Sequence, residues 1–172
     1  LVYKKVDSVL RGHILAEIET QLTEMQLDTA LLIPANPSLG RTIVEGKYFV
    51  NGQLINETAF AKDPEFGVVS VDVIKMVRDD KDRVSVIQNG EPFHSASINI
   101  GNVFSQNDLN EWAHATINKK ILLAGAGDFF IALIEANHFG IKSAEPFFKT
   151  ANKEFPYLMI SGTSFTQNTE AI

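Results

Sequence analysis

The chain has 172 residues, 21 acidic and 15 basic for a formal net charge of −6, and 45% of them are hydrophobic. That length suits one ordinary domain with a real core, and the composition argues against extended disorder and the acidic balance against a nucleic-acid binder. The absence of cysteine excludes disulfide and thiolate zinc sites. With no apolar run near about 18 residues and no cleavable leader, the expectation is a cytoplasmic protein that spans no membrane.

Residues 1–6 read as a strand that begins abruptly at Leu1. A helix is predicted over 9–25, with Leu10, Ile14, Ile18, Leu22 and Met25 on one apolar stripe and Ser8 as its N-cap. Residues 29–33 form a buried-type strand closed by Pro34 and a loop to Gly40. Runs 42–50 and 53–56 flank Asn51-Gly52, a strong hairpin signal because a type I′ turn needs positive φ at both positions. A helix over 71–78 capped by Ser70, strands over 84–87 and 97–100, and a helix over 107–117 follow. Residues 121–124 are apolar without alternation, which suits a strand covered on both faces, and a helix over 128–138 comes after Gly125-Ala126-Gly127. The segment 144–156 reads as a linker, and 157–160 as a last strand before Ser161-Gly162-Thr163-Ser164. Strands alternating with helices predict an α/β fold, with a mostly parallel sheet, helices on both faces in three αβα layers, and one β-hairpin insertion.

Chemistry concentrates where strands end. Lys5, Asp7, Ser8 and Arg11 lie between the first strand and the first helix, the place where open α/β sheets bind ligands. Free N–H groups of a helix start attract an anion, and Arg11 adds a bidentate grip on a carboxylate or phosphate. Asp7 is the carboxylate there that can accept a hydrogen bond from a substrate hydroxyl. A helix cap with a surface ion-pair cluster fits the same spacing. Arg41 can reach the strand ends or form a surface salt bridge. Gly125-Ala126-Gly127 suits a phosphate cradle or close strand–helix packing, and Ser161 to Ser164 a nucleotide phosphate or a helix cap. His13, His94, His114 and His138 show no metal-ligand spacing.

Tyr3-Lys4-Lys5-Val6-Asp7-Ser8, then Leu10-Arg11-Gly12, resembles a signature of the four-carbon acid sugar kinase family. Pro34-Ala35, Pro37, Leu39-Gly40-Arg41-Thr42, Asn51-Gly52, Asp63-Pro64, Gly125-Ala126-Gly127 and Ser161-Gly162-Thr163-Ser164 continue the resemblance in order. The resemblance implies transfer of the γ-phosphoryl group of ATP, with magnesium, to a hydroxyl of threonate, erythronate or a 3-oxo derivative. It implies Lys5, Asp7, Ser8, Arg11 and Arg41 at the sugar acid, Asp7 as catalytic group, and Gly162, Thr163 and Ser164 at the nucleotide. It also implies that residues 1–143 are the later part of a sugar-acid domain and 157–172 the start of a nucleotide domain. Such a part is expected to be inactive alone, and the whole protein is a possible homodimer. Val9, His13 and Ala126 depart from the family pattern. A non-catalytic sugar-acid sensor and a structural partner-binding fragment are the rival readings.

Overall fold

The structure, a computed structural model, describes residues 2–63, 67–79 and 82–137. The predicted linker, the predicted second domain and Gly162, Thr163 and Ser164 lie outside the described residues.

Five strands form a parallel sheet: β1 (Tyr3–Lys5), β2 (Ala30–Ile33), β6 (Val84–Ile87), β7 (Ile98–Gly101) and β8 (Leu122–Gly125), in the order β1-β8-β2-β7-β6. The register sets Tyr3 opposite Leu123, Ala30 opposite Leu122 and Ile98, and Val84 opposite Ile98. Every residue of β2, β7 and β8 is buried, as the unbroken apolar runs of β2 and β8 require; in β7 the buried Asn99 amide donates to the Ala30, His94 and Ser97 carbonyls.

The connections fix the layers. From β1 to β2 the chain crosses through α1 (Ile14–Glu24) and moves two places one way along the sheet. From β7 to β8 it crosses through α3 (Gln106–Ala115) and moves two places the other way. Parallel crossovers are right-handed, so α1 and α3 cover opposite faces. The last helix, α4 (Gly127–Ala136), packs on α3. The expected three-layer α/β arrangement is the observed one.

The insertion is larger than the single hairpin expected. It is a three-stranded antiparallel sheet of β3 (Arg41–Val44), β4 (Lys47–Val50) and β5 (Gln53–Leu54). Asn51-Gly52 makes the turn predicted, at φ 50° and 78°, but Glu45-Gly46 makes a second one at φ 49° and 71°. Apolar residues on both sides of Glu45-Gly46 had read as one run. Backbone bonds between Ile43 and Val103 tie this sheet to the main body, with Ile43 and Tyr48 completely buried.

Two helices also start elsewhere than expected. Helix α1 begins at Ile14, not at residue 9, and its N-cap is His13, not Ser8. Leu10 at φ 61° and Gly12 at φ 92° are left-handed, which breaks a right-handed helix there, and Asp7 gathers the Val9 and Arg11 N–H groups into a local turn. Helix α2 (Val73–Met76) is capped by Asp72, whose carboxylate accepts from Ile74 and Lys75; Ser70 accepts from Asp72 instead. Helix α3 carries a full capping box of Ser105 and Asp108.

Candidate functional site at the carboxyl ends of the strands

The segment leaving β1 folds around one carboxylate. Asp7 Oδ2 accepts from the backbone N–H of Val9 at 3.2 Å, from that of Arg11 at 3.1 Å and from Arg11 Nε at 3.0 Å. Arg11 Nη2 reaches Asp7 Oδ1 at 3.0 Å, completing a bidentate pair, and Nη1 reaches Asp63 Oδ2 at 3.2 Å. Burial pushes the Asp7 carboxyl up, but the Arg11 guanidinium and the N–H groups of Arg11 and Val9 outweigh it and hold it below the usual carboxylate range. Arg11 is held above its ordinary value, chiefly by its bonds to Asp7 and with help from Asp63, against the opposing effect of burial. Arg11 is therefore a strut between two carboxylates, with three of its nitrogens engaged.

Arg41 is differently placed. Its Nη1 donates to the hydroxyl of Ser8, and its guanidinium carbon lies 5.4 Å from the centre of the Phe60 ring, within cation–π range. Among the described residues its remaining N–H groups have no hydrogen-bond acceptor. Ser8 is buried, and its carbonyl accepts from the Tyr48 hydroxyl at 2.5 Å. Burial drives the Tyr48 phenol well above its ordinary value, Arg41 lowers it and Asp7 raises it, so Tyr48 is a neutral donor that feels both charges. The cluster thus gathers two guanidinium groups, two carboxylates and a serine hydroxyl.

Arg41 closes the loop that follows β2. Asn36 N–H donates to the Arg41 carbonyl at 2.8 Å, and Arg41 N–H donates back to Asn36 at 3.1 Å. Pro37–Leu39 form a 3₁₀ turn between them, ended by Gly40 at φ 64°. On the other side the loop meets α4: Asp128 accepts from both the backbone and the hydroxyl of Ser38 at 2.8 Å, and Asp128 N–H donates to Asn36 Oδ1 at 2.9 Å. Beyond Arg11 lies a cleft of about 150 Å3, lined in part by Arg11, Gly12, Ser70, Lys75 and Arg78.

Of the residues predicted from sequence, Asp7 and Arg11 bond each other, and Ser8 and Arg41 bond each other beside them. Lys5 is exposed, and its ammonium bonds only the Val6 carbonyl, at 2.5 Å. Ser8 contributes a buried hydroxyl and no helix cap. Sequence reasoning missed Asp63, Phe60 and Tyr48 around the cations, and Asn36, Ser38 and Asp128 behind them. Asn36, Ser38 and Asp128 carried the signal of position just after β2 and β8, Asp63 stood in the resemblance without a role, and Tyr48 and Phe60 lie in the insertion, where no local pattern marks them. Gly125-Ala126-Gly127 serves close packing at Gly125: an added Cβ would lie 2.3 Å from the Ile33 carbonyl and 2.7 Å from the Tyr3 hydroxyl.

Asp7 and Asp63 both accept from Arg11, and no group of three or more His, Asp or Glu side chains that could hold a metal ion occurs among the described residues. No helix of the described residues is long and apolar enough to cross a membrane.

A family model described as the sugar-binding N-terminal domain matches residues 1–133. A D-threonate kinase of Salmonella typhimurium is 44% identical over 77 residues, which are 45% of this chain and 18% of that protein. A D-threonate kinase of Bordetella bronchiseptica is 42% identical over 64 residues, 37% of this chain and 16% of that one. Among solved structures, a Bordetella bronchiseptica domain of unknown function, DUF1537, crystallised with citrate as a domain-swapped dimer, superposes with a TM-score of 0.64 at 22% identity. That match covers 78% of this chain and 36% of that structure. The stretches matched are under a fifth of the curated kinases and little more than a third of the solved neighbour.

Proposed function

The chain belongs to the sugar-binding N-terminal domain family, and from that premise we propose that it is the acid-recognising part of an ATP-dependent kinase for a four-carbon sugar acid such as D-threonate. The observation that carries the reading is Arg41. It is the guanidinium of the cluster with N–H groups to spare, held rigid by Ser8 and Phe60 beside the Asp7–Arg11–Asp63 network. A planar cation with spare donors, at the carboxyl ends of parallel strands, suits a small carboxylate.

In this reading Arg41 takes the substrate carboxylate, and the Ser8 hydroxyl lies within its reach. Asp7 has a lone pair left on Oδ1, where only Arg11 donates, and accepts the hydrogen bond of the hydroxyl to be phosphorylated. Its lowered pKa keeps it ionised. A weak base is enough, because phosphoryl transfer depends on positioning and charge neutralisation more than on proton removal. ATP supplies the phosphoryl group. Its binding groups, Gly162, Thr163 and Ser164 among them, and its magnesium are part of the proposal. Lys5 is retained as an outer cation that draws the acid toward the site. The whole protein would work in the cytoplasm, where ATP is supplied, and as a homodimer that light scattering would detect.

The test is an ATP-coupled screen of D-threonate, L-threonate, D-erythronate and their 3-oxo derivatives on the complete polypeptide. Turnover of at least one acid supports the kinase reading. Saturable binding of an acid with no turnover would replace it with the sensing-module reading.

A further inference from the structure

Helix α4 begins without a side-chain cap of its own, because its N-cap position is Ala126. The missing acceptor comes from a distant loop, where Asn36 Oδ1 receives the N–H of Asp128. The side chain of Asp128 returns the contact by accepting both the backbone and hydroxyl donors of Ser38. Asp128 is 8% exposed and its N–H bond to Asn36 is buried, while the bonds from the exposed Ser38 are half-buried, so the Asn36 bond is the costlier one to lose. Its charge also lies at the positive end of the helix, where an anion is favoured.

The loop gripped in this way is stiff. Asn36 and Arg41 are bonded to each other in both directions, and the Leu39 and Gly40 N–H groups turn back onto Asn36 and Pro37 at 2.9 Å each. A loop closed on itself moves as one piece. We propose that Asp128 is a positioning residue, which by clamping Ser38 and Asn36 sets the place of Arg41 and thereby of the acid's carboxylate. The inference rests on the sugar-acid reading of the cluster for its kinetic arm and on the structure alone for its exchange arm.

The experiment compares Asp128→Ala, Asp128→Asn and Ser38→Ala in the complete polypeptide, with D-threonate as the acid. Asp128→Ala is expected to raise KM for D-threonate about tenfold or more, with kcat and the KM for ATP changed less than about threefold. Asp128→Asn keeps an acceptor for the Ser38 N–H and recovers part of that loss. In the same variants, hydrogen exchange of the Arg41 amide should quicken about tenfold relative to amides of β6 and β7. A folded Asp128→Ala protein with unchanged KM and unchanged Arg41 exchange overturns the inference. If Asp128→Ala fails to fold, Ser38→Ala decides, since it removes one hydroxyl bond and leaves the carboxylate in place: unchanged KM and exchange there overturn it as well. If the unaltered protein turns over no four-carbon acid, the functional reading fails, and the exchange arm alone then decides the role of Asp128.

Discussion

In the proposed reading, Asp7 and Arg41 divide the work that the sequence spreads over Lys5, Asp7, Ser8, Arg11 and Arg41. Arg11 is tied to Asp7 and Asp63, which in that reading leaves the acid to Arg41. Hydrogen bonds to charged groups contribute roughly 1.5–3 kcal/mol each, so losing one in Arg41→Ala is expected to raise KM for the acid about tenfold to a hundredfold with kcat far less affected. An equal fall in kcat and kcat/KM, at constant KM, would instead give Arg41 a role in the transition state only. Asp7 makes a pH-dependent prediction. Its folded-state pKa lies below its unfolded value, so its contribution to stability is complete above about pH 4–5 and is lost as pH falls through the folded value. Urea denaturation of the unaltered protein and Asp7→Asn should therefore differ at pH 7 and converge toward pH 3. A gap that stays the same at both would contradict the ion-paired state of Asp7.

The elements show why some of this was legible and some was not. Strands β2, β6, β7 and β8 stand within a residue of where the sequence placed them; β2 and β8, buried on both faces, are apolar throughout, whereas β6 is half-buried with Ser85 and β7 carries the buried Asn99. Helix α1 starts later than its apolar stripe suggests because Leu10 and Gly12 turn left-handed around the Asp7 carboxylate, a local turn that leaves no trace in periodicity. The pairs Arg11–Asp63 and Asn36–Asp128 join residues 52 and 92 positions apart, and no local pattern carries them. Gly125, read as either a phosphate cradle or a packing residue, is accounted for by packing. Gly125→Ala forces a methyl group against the Ile33 carbonyl between two parallel strands, with an expected loss of about 1–3 kcal/mol in the urea midpoint analysis. A loss under about 0.5 kcal/mol, the range of ordinary surface changes, would show that the strands part easily there.

For the whole molecule, the order β1-β8-β2-β7-β6 sends α1 and α3 to opposite faces and leaves the strands' carboxyl ends open between them. Asp7 at the end of β1, the loop 36–41 after β2, and Asp128 after β8 meet there because the three strands are neighbours in the sheet, although they are far apart in the chain. The family model spans residues 1–133, and within the chain the two D-threonate kinases match 77 and 64 residues. Since the chain matches under a fifth of the curated D-threonate kinases, the catalytic claim belongs to the complete polypeptide. One measurement tests it most directly: ATP-coupled turnover of four-carbon sugar acids by that polypeptide, with Arg41→Ala beside it. The account predicts turnover of at least one such acid, D-threonate first, with a KM raised about tenfold or more in Arg41→Ala. Absence of turnover with every acid, or turnover with an unchanged KM in Arg41→Ala, would contradict it.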